Sequence, residues 1–193
     1  MARVLVLFAH PCDESYSAAL HKVVVDTLIA NCWDVDDCDL NAEGFNPVLT
    51  AAERRSYHDV ASNTAPVQSF VDRLLQADAL VLVFPVWNYG FPAILKGFFD
   101  RVFLPDVSFK LVDGLVKPNL TNIRKIAAFT SYGGTRLKTF LAGDPPRRVV
   151  TRSICYVCHA EKLRYLALHD MNRVTDAGRA AHLLRVTREM ERF

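Results

Sequence analysis

No stretch of this chain approaches the roughly 18–20 consecutive apolar residues that a membrane-crossing helix needs. Nor is there a charge excess: 23 basic and 21 acidic residues leave a formal net charge of +2, and the Lys and Arg are scattered. That balance excludes a broad electrostatic footprint for nucleic acid and disfavours an acidic carrier that docks basic partners. Neither the Gly-x-Gly-x-x-Gly fingerprint nor the P-loop lysine pattern occurs after the first apolar run, so neither of those phosphate sites is indicated. Cysteine is limited to five residues, at 12, 32, 38, 155 and 158. The set is odd and lacks the fuller ligand framework that zinc requires, so no metal site is expected. Val4–Ala9 is too short for a signal-peptide core and stops at His10-Pro11. A reducing, cytoplasmic compartment and free thiols are therefore expected. Cys155-Tyr-Val-Cys158-His159 matches the haem-attachment pattern, but covalent attachment requires export, and the spacing alone is a weak signal.

What is present is enough for a sizeable core. A length of 193 residues with 51% apolar composition fits one domain, 1–193. Val4–Ala9 is a continuous, β-branched-rich run, the signature of a strand buried on both faces of a parallel sheet. A helix follows, opened by Asp13–Ser17 and carrying Leu20, Val23, Val24 and Leu28 at helical spacing. Trp33–Leu40 supplies a second strand whose aspartates mark it as exposed or edge-like. Thr50-Ala-Ala-Glu53 has the spacing of a capping box and predicts a short helix. Residues 58–66 read as a loop, with Pro66 near the first turn of a helix bearing Val67, Phe70, Val71, Leu74 and Leu75.

Ala79–Phe84 is the third buried strand, Ala93–Phe103 a helix, Ile123–Thr130 the fourth strand and Leu163–Leu168 the fifth. Between the last two, Pro145-Pro146 predicts that residues 135–152 form an exposed, non-helical excursion. Thr175-Asp176 opens a final amphipathic helix with Leu183, Val186, Met190 and Phe193 along one stripe. Strands alternating with helices argue for a doubly wound α/β sandwich, in the flavodoxin-like order 2-1-3-4-5 at this length. In that order a ligand sits beyond the carboxyl ends of strands 1, 3 and 4. Three loops, beginning near His10, Pro85 and Ser131, should therefore meet.

Each loop has chemistry suited to a planar, anionic ligand, and each alone also has an ordinary structural explanation. The first, His10–Ser17, leads into a helix N-terminus, where free amides and the Ser15 and Ser17 hydroxyls favour a phosphate. An ordinary serine-capped helix with a structural histidine has the same composition. The second, Pro85-Val-Trp-Asn-Tyr89 with Gly90 and Pro92, offers the faces of Trp87 and Tyr89 for stacking, with Gly90 as the residue free to adopt unusual backbone angles. The third, Thr130–Thr135, contains Gly133-Gly134, a pair that lets successive amides converge on one acceptor. His169-Asp-Met-Asn at the end of strand 5 reads as a loop that satisfies its own backbone, with a polar corner near the site as the alternative.

A family resemblance adds to these readings. Ala9-His10, Ser15-Tyr16-Ser17, Phe45-Asn46-Pro47, Phe84-Pro85, Gly90, Pro92–Gly97 and Arg101-Val102-Phe103 resemble the DT-diaphorase family of NAD(P)H:quinone oxidoreductases and its short bacterial branch. The likeness runs through roughly residues 3 to 134. It implies a flavin, with FAD suggested by His10 and Phe45-Asn-Pro and FMN as the alternative. Hydride would come from NADH or NADPH and pass to a quinone or similar acceptor. No side chain need act as a nucleophile, because the redox chemistry belongs to the flavin.

By position, the resemblance implies that His10, Ser15, Tyr16 and Ser17 hold phosphate. Pro85, Val86, Trp87, Asn88 and Tyr89 flank the ring, and Ser131, Tyr132, Gly133 and Gly134 meet its polar edge. Tyr89, Phe109 and Leu111 line the substrate pocket, the last two contributed by a partner subunit of a homodimer, and Phe99, Phe103 and Phe109 cluster where that interface would lie. The Tyr and His that the family carries after its double glycine, assigned there to proton relay, are missing from Thr135–Phe140. Two rival functions stay open: a flavin-binding ancillary subunit of a membrane transporter, and an electron-carrying flavodoxin.

Overall fold

In the computed structural model, which describes residues 1–193, the first apolar run becomes β1 (Arg3–Phe8), buried from Val4 onward. It is followed by α1 (Tyr16–Ala30), β2 (Asp34–Asp39), α2 (Ala51–Arg55), α3 (Gln68–Gln76), β3 (Ala79–Val86) and α4 (Ala93–Val102). Then come β4 (Phe109–Val112), β5 (Leu115–Pro118), β6 (Lys125–Tyr132), α5 (Arg136–Leu141), α6 (Pro145–Arg148), α7 (Cys155–Cys158), β7 (Lys162–Leu168) and α8 (Asp176–Met190).

Five strands pair in parallel in the order β2-β1-β3-β6-β7, the doubly wound order expected from the alternating pattern. The two-residue period of a strand divides the core into two layers. Leu5, Leu7, Leu80, Leu82 and Phe84 pack with Val71 and Leu74 of α3 and with Leu95 and Phe98 of α4. Val4, Val6, Phe8, Val81 and Val83 face the other way, onto Leu20, Val24 and Leu28 of α1 and Val186 and Met190 of α8. Every residue of β3 is buried, as its central place demands. The aspartates of β2 are tolerated because it is an edge strand with partners at hand. Asp36 is bound by Arg73 and Arg3, Asp37 by His21, and Asp39 accepts the amides of Asn41 and Ala42.

The helix starts are capped as the sequence predicts. Ser15 accepts the Ala18 amide at 3.0 Å, and Thr175 accepts that of Gly178 at 3.2 Å. Thr50 and Glu53 complete the reciprocal capping box.

Two segments depart from expectation. Residues 135–152 are not a non-helical excursion: α5 is followed by α6, a π-helical stretch over Val149–Ile154 and α7, a nearly continuous helical run. Pro145 and Pro146 occupy the first helical positions, where no amide is needed for the helix ladder, so they begin a helix rather than break one. Val150 and Ile154 from this run are buried in the core. The other departure is the β4–β5 hairpin, turned by Asp113-Gly114 with both residues at positive φ. An Asp-Gly pair between apolar residues is a strong hairpin signal that the strand–helix alternation masked.

Candidate functional site

The three loops meet at the carboxyl ends of β1, β3 and β6. The His10 ring lies edge-on to Trp87 at 5.6 Å between centroids, joining the first loop to the second. A Cβ placed on Gly134 would approach the Tyr89 hydroxyl to 3.2 Å, joining the second to the third. Val86 pairs with Tyr132 across β3 and β6, so the last two loops start from one register. Between them lies a cavity of about 210 Å³ lined by Val86, Asn88, Tyr89, Tyr132, Gly133 and Gly134.

In the first loop, the His10 Nδ1 accepts the Cys12 amide at 3.0 Å, which fixes the ring and leaves its other nitrogen directed elsewhere. Ser15 is engaged in capping α1, and Ser17 is buried. The Tyr16 hydroxyl is bound to His182 Nδ1 on α8 at 2.7 Å, so at the start of α1 the residue offers a ligand its backbone rather than its hydroxyl. Burial holds the Tyr16 hydroxyl well above its ordinary pKa against the opposing Arg179 charge. Burial, with Arg185 and His169, lowers His182 to about 4, leaving it neutral. Its Nε2 is buried without a partner.

The second loop closes as a tight turn in which the Gly90 amide donates to the Trp87 carbonyl at 2.8 Å and the Trp87 amide to that of Gly90 at 3.2 Å. The central residues, Asn88 at φ 49° and Tyr89 at φ 57°, are both left-handed, while Gly90 is not. The conformational burden expected of Gly90 therefore falls on two non-glycine residues. Tyr89 in this region costs on the order of 1 kcal/mol, strain of the kind that collects at functional sites. Trp87 and Tyr89 are exposed at 45% and 39%, so both rings are free to meet a ligand.

In the third loop neither glycine has a positive φ, and a Cβ on Gly133 would meet nothing within 4 Å. The space above Gly133 is thus open to a planar edge. The Tyr132 ring points away from it: the residue is 1% exposed, and its hydroxyl bonds Asp144 Oδ1 and the Tyr165 hydroxyl, each at 2.6 Å. Burial, together with Tyr165 and Asp144, raises the Tyr132 hydroxyl far above its ordinary pKa. Tyr132 can therefore serve a ligand through its backbone, not through its hydroxyl.

The segment after β7 does more than satisfy itself. Asp170 N–H donates to the Gly134 carbonyl at 3.0 Å and Met171 N–H to that of Tyr132 at 3.1 Å, while the His169 ring stacks on Tyr132 at 4.6 Å. His169, read from its place at a strand's carboxyl end as one side of an alternative polar corner, is adjacent to the site; His182, for which the sequence carried no local signal, is a neighbour that sequence reasoning missed.

Phe109 and Leu111 lie on the β4–β5 hairpin and do not line the cavity between the loops. Phe109 borders a separate apolar hollow with Phe99, Phe103, Val149 and Val157. Phe45-Asn46-Pro47 has a packing role: Phe45 is buried, the Asn46 carbonyl accepts from Arg101, and Pro47 abuts Gly97. No group of His, Cys, Asp and Glu suited to hold a metal ion occurs, and no helix is long and apolar enough to cross a membrane. All five cysteines are free.

Residues 2–190 match the family described as having a flavodoxin-like fold. The chain is 35% identical over 101 residues to the uncharacterized NAD(P)H oxidoreductase YcaK of Escherichia coli (strain K12), a match covering 52% of each protein. It thus spans about half the length of that relative. It is 31% identical over 147 residues to the FMN-dependent NADH:quinone oxidoreductase of Staphylococcus haemolyticus, covering 69% of this chain and 70% of the other. The crystal structure of Smu.1420 from Streptococcus mutans UA159 superposes with a TM-score of 0.88 at 27% identity, covering 99% of this chain and all of that one.

Proposed function

Because the chain belongs to the flavodoxin-like fold family, we propose that it is a flavin-dependent NAD(P)H oxidoreductase that reduces quinones or similar acceptors. The observation that carries this reading is the open cradle at the carboxyl ends of β1, β3 and β6, where a side chain on Gly133 would meet nothing and the Trp87 and Tyr89 rings stand exposed. The chain's residues fit a flavin. The α1 N-terminus, with His10, Ser15 and Ser17 beside it, would hold the phosphate. Pro85, Val86, Trp87, Asn88 and Tyr89 would flank the ring, and the backbone of Ser131, Tyr132, Gly133 and Gly134 would hold its polar edge. When bound, the flavin would supply the two-electron redox chemistry between NADH or NADPH and the acceptor.

The protein's own work is positioning. The strained Asn88-Tyr89 turn presents the Tyr89 ring at the mouth of the cavity, where a nicotinamide or quinone ring can stack. FMN is the better-supported cofactor, since the S. haemolyticus relative is named for it and Phe45-Asn46-Pro47 has a packing role of its own. FAD is the alternative outcome of the test. The whole chain, 1–193, is one flavin-binding domain in this reading. Free cysteines and the absence of a membrane-crossing helix suit a cytoplasmic place.

A second copy of the chain completes the acceptor pocket by covering the hollow bordered by Phe99, Phe103 and Phe109, which would bring Phe109 and Leu111 of one protomer toward the cradle of the other. Light scattering at micromolar concentration should then give about twice the 21.7 kDa chain mass.

The central experiment is to purify the protein, record its visible spectrum and chromatograph the chromophore released by heat. NAD(P)H oxidation is then followed with a soluble quinone. A protein without flavin that cannot be loaded with it, or one that binds flavin but oxidises neither NADH nor NADPH with any quinone, would overturn the reading.

A further inference from the structure

Behind the cradle lies a second cavity, of about 330 Å³, lined by Arg136 of α5, Asp144, Arg147 of α6, Tyr165, His169 and Arg185 of α8 among others. The two cavities stand back to back. Tyr132 borders the cradle, His169 borders the second cavity, and their stacked rings form the wall between them.

Ten of the chain's sixteen arginines have no carboxylate partner, and three of those ten gather in this cavity. Arg3, Arg73, Arg101, Arg124, Arg164 and Arg179 each have a carboxylate partner. Arg136, Arg147 and Arg185 come from three different helices, line one cavity, and have no carboxylate within ion-pairing distance. The single carboxylate in the lining, that of Asp144, accepts the Tyr132 hydroxyl. Three guanidinium groups against one carboxylate leave a formal excess of two positive charges. Arg147 is further held over the Tyr165 ring at 5.6 Å, so it is oriented rather than free. The field is felt by neighbouring groups: after burial, Arg136 and Arg147 depress His169 against the opposing pull of Asp144, and Arg185 depresses His182. One His169 ring nitrogen lies 3.5 Å from Thr139 Oγ1, and the other makes no hydrogen bond. At the rim Phe140 is 76% exposed, an apolar surface beside the charges.

We propose that this cavity binds a phosphate monoester. A dianion matches the excess charge, and its three terminal oxygens can take forked hydrogen bonds from several guanidiniums at once, whereas a carboxylate is satisfied by one. The neutral His169 adds a donor, and the Phe140 ring suits an aromatic group attached to the phosphate. Two sources share this chemistry. One is the 2′-phosphate of NADPH, which rests on the oxidoreductase reading and would make these arginines the determinants of donor choice. The other is a free phosphorylated metabolite, which needs no turnover at all.

The test is calorimetric titration of the full-length protein with inorganic phosphate, with adenosine 2′,5′-bisphosphate, and with acetate as a monoanion control. It is repeated on R136Q/R185Q, with circular dichroism to verify the fold. Phosphate and the bisphosphate should compete for one site, acetate should bind at least tenfold more weakly, and the variant should lose about tenfold in affinity for both phosphates. If the Michaelis constant for NADPH also rises about tenfold while that for NADH is unchanged, the donor is the source. If neither changes, a separate metabolite is the occupant. Should the glutamine variant fail to fold, R136K/R185K keeps the charge but loses the forked geometry, and a severalfold loss is still expected. Phosphate affinity unaffected by either variant, acetate binding as tightly as phosphate, or no binding up to about 10 mM would each overturn the proposal.

Discussion

Gly97 on α4 lies so close to Pro47 that a Cβ at Gly97 would sit 2.3 Å from the Pro47 carbonyl oxygen and 2.4 Å from its Cβ. Backbone meets backbone here, and no flexible side chain can yield. Gly97→Ala should therefore cost about 1–3 kcal/mol, the usual penalty of overpacking, read from the midpoint of urea unfolding. A midpoint within error of the wild type would show that the residue 45–50 loop shifts freely and is not fixed by α4.

The same loop is held a second time. Arg101 and Glu53 form an ion pair whose side chains are only 9% and 12% exposed. Burial alone would raise the Glu53 pKa, but hydrogen bonds from Thr50 and Arg101 outweigh it and the net shift is downward. A carboxylate with a lowered folded pKa contributes stability above its unfolded value of about 4.3 and loses that contribution as pH falls through the folded value. Glu53→Gln should cost about 3–5 kcal/mol at neutral pH by leaving Arg101 uncompensated. It should also flatten the fall in stability below about pH 4.

His182 gives a separate window. Its folded pKa is about 4, below the ordinary 6.5, so between those values the unfolded chain binds the proton more readily. Stability from this group is present above about pH 6.5 and is lost toward pH 4, a total on the order of 3 kcal/mol. His182→Gln, which keeps a partner for Tyr16, should remove the slope across that interval in chemical unfolding performed at pH steps.

Gly133→Val and Tyr89→Ala should damage different steps. The space at Gly133 is open, so a valine there should change stability by less than about 0.5 kcal/mol yet lower the flavin bound per chain. Removing the Tyr89 ring should leave flavin bound while slowing NAD(P)H oxidation with a soluble quinone. Full flavin content and wild-type turnover in both variants would remove the two loops from the active site.

The fold was legible where burial is symmetrical. β1, β3 and β6 lie between helices on both faces, so their apolar runs announced them, and the capping residues of α1, α2 and α8 marked helix starts locally. The proline pair at 145–146 misled because its effect depends on position: inside a helix it breaks the ladder, at the first turn it opens one. At the site, the three loops could be placed from topology, but the direction of individual side chains could not. Tyr132 is drawn inward by Asp144 and Tyr165, and Tyr16 is held by a histidine 166 residues away. Such partners leave no trace in local spacing. Likewise nothing in Asn88-Tyr89-Gly90 says which residue turns left-handed; closure of the turn at Trp87 and Gly90 decides it.

The strand order has a consequence for how the molecule is born. The cradle draws on β1, β3 and β6, which lie between residues 3 and 132 in the chain. At about 5–20 residues per second, on the order of ten seconds separates the emergence of β1 from that of β6 on the ribosome. For the last part of that interval, once β3 has emerged, the nascent chain holds two of the three loops and a fully apolar β3 with one unpaired edge. A ligand that needs all three loops can be held only late in synthesis, and until then the unpaired edge of β3 is exposed to non-native pairing.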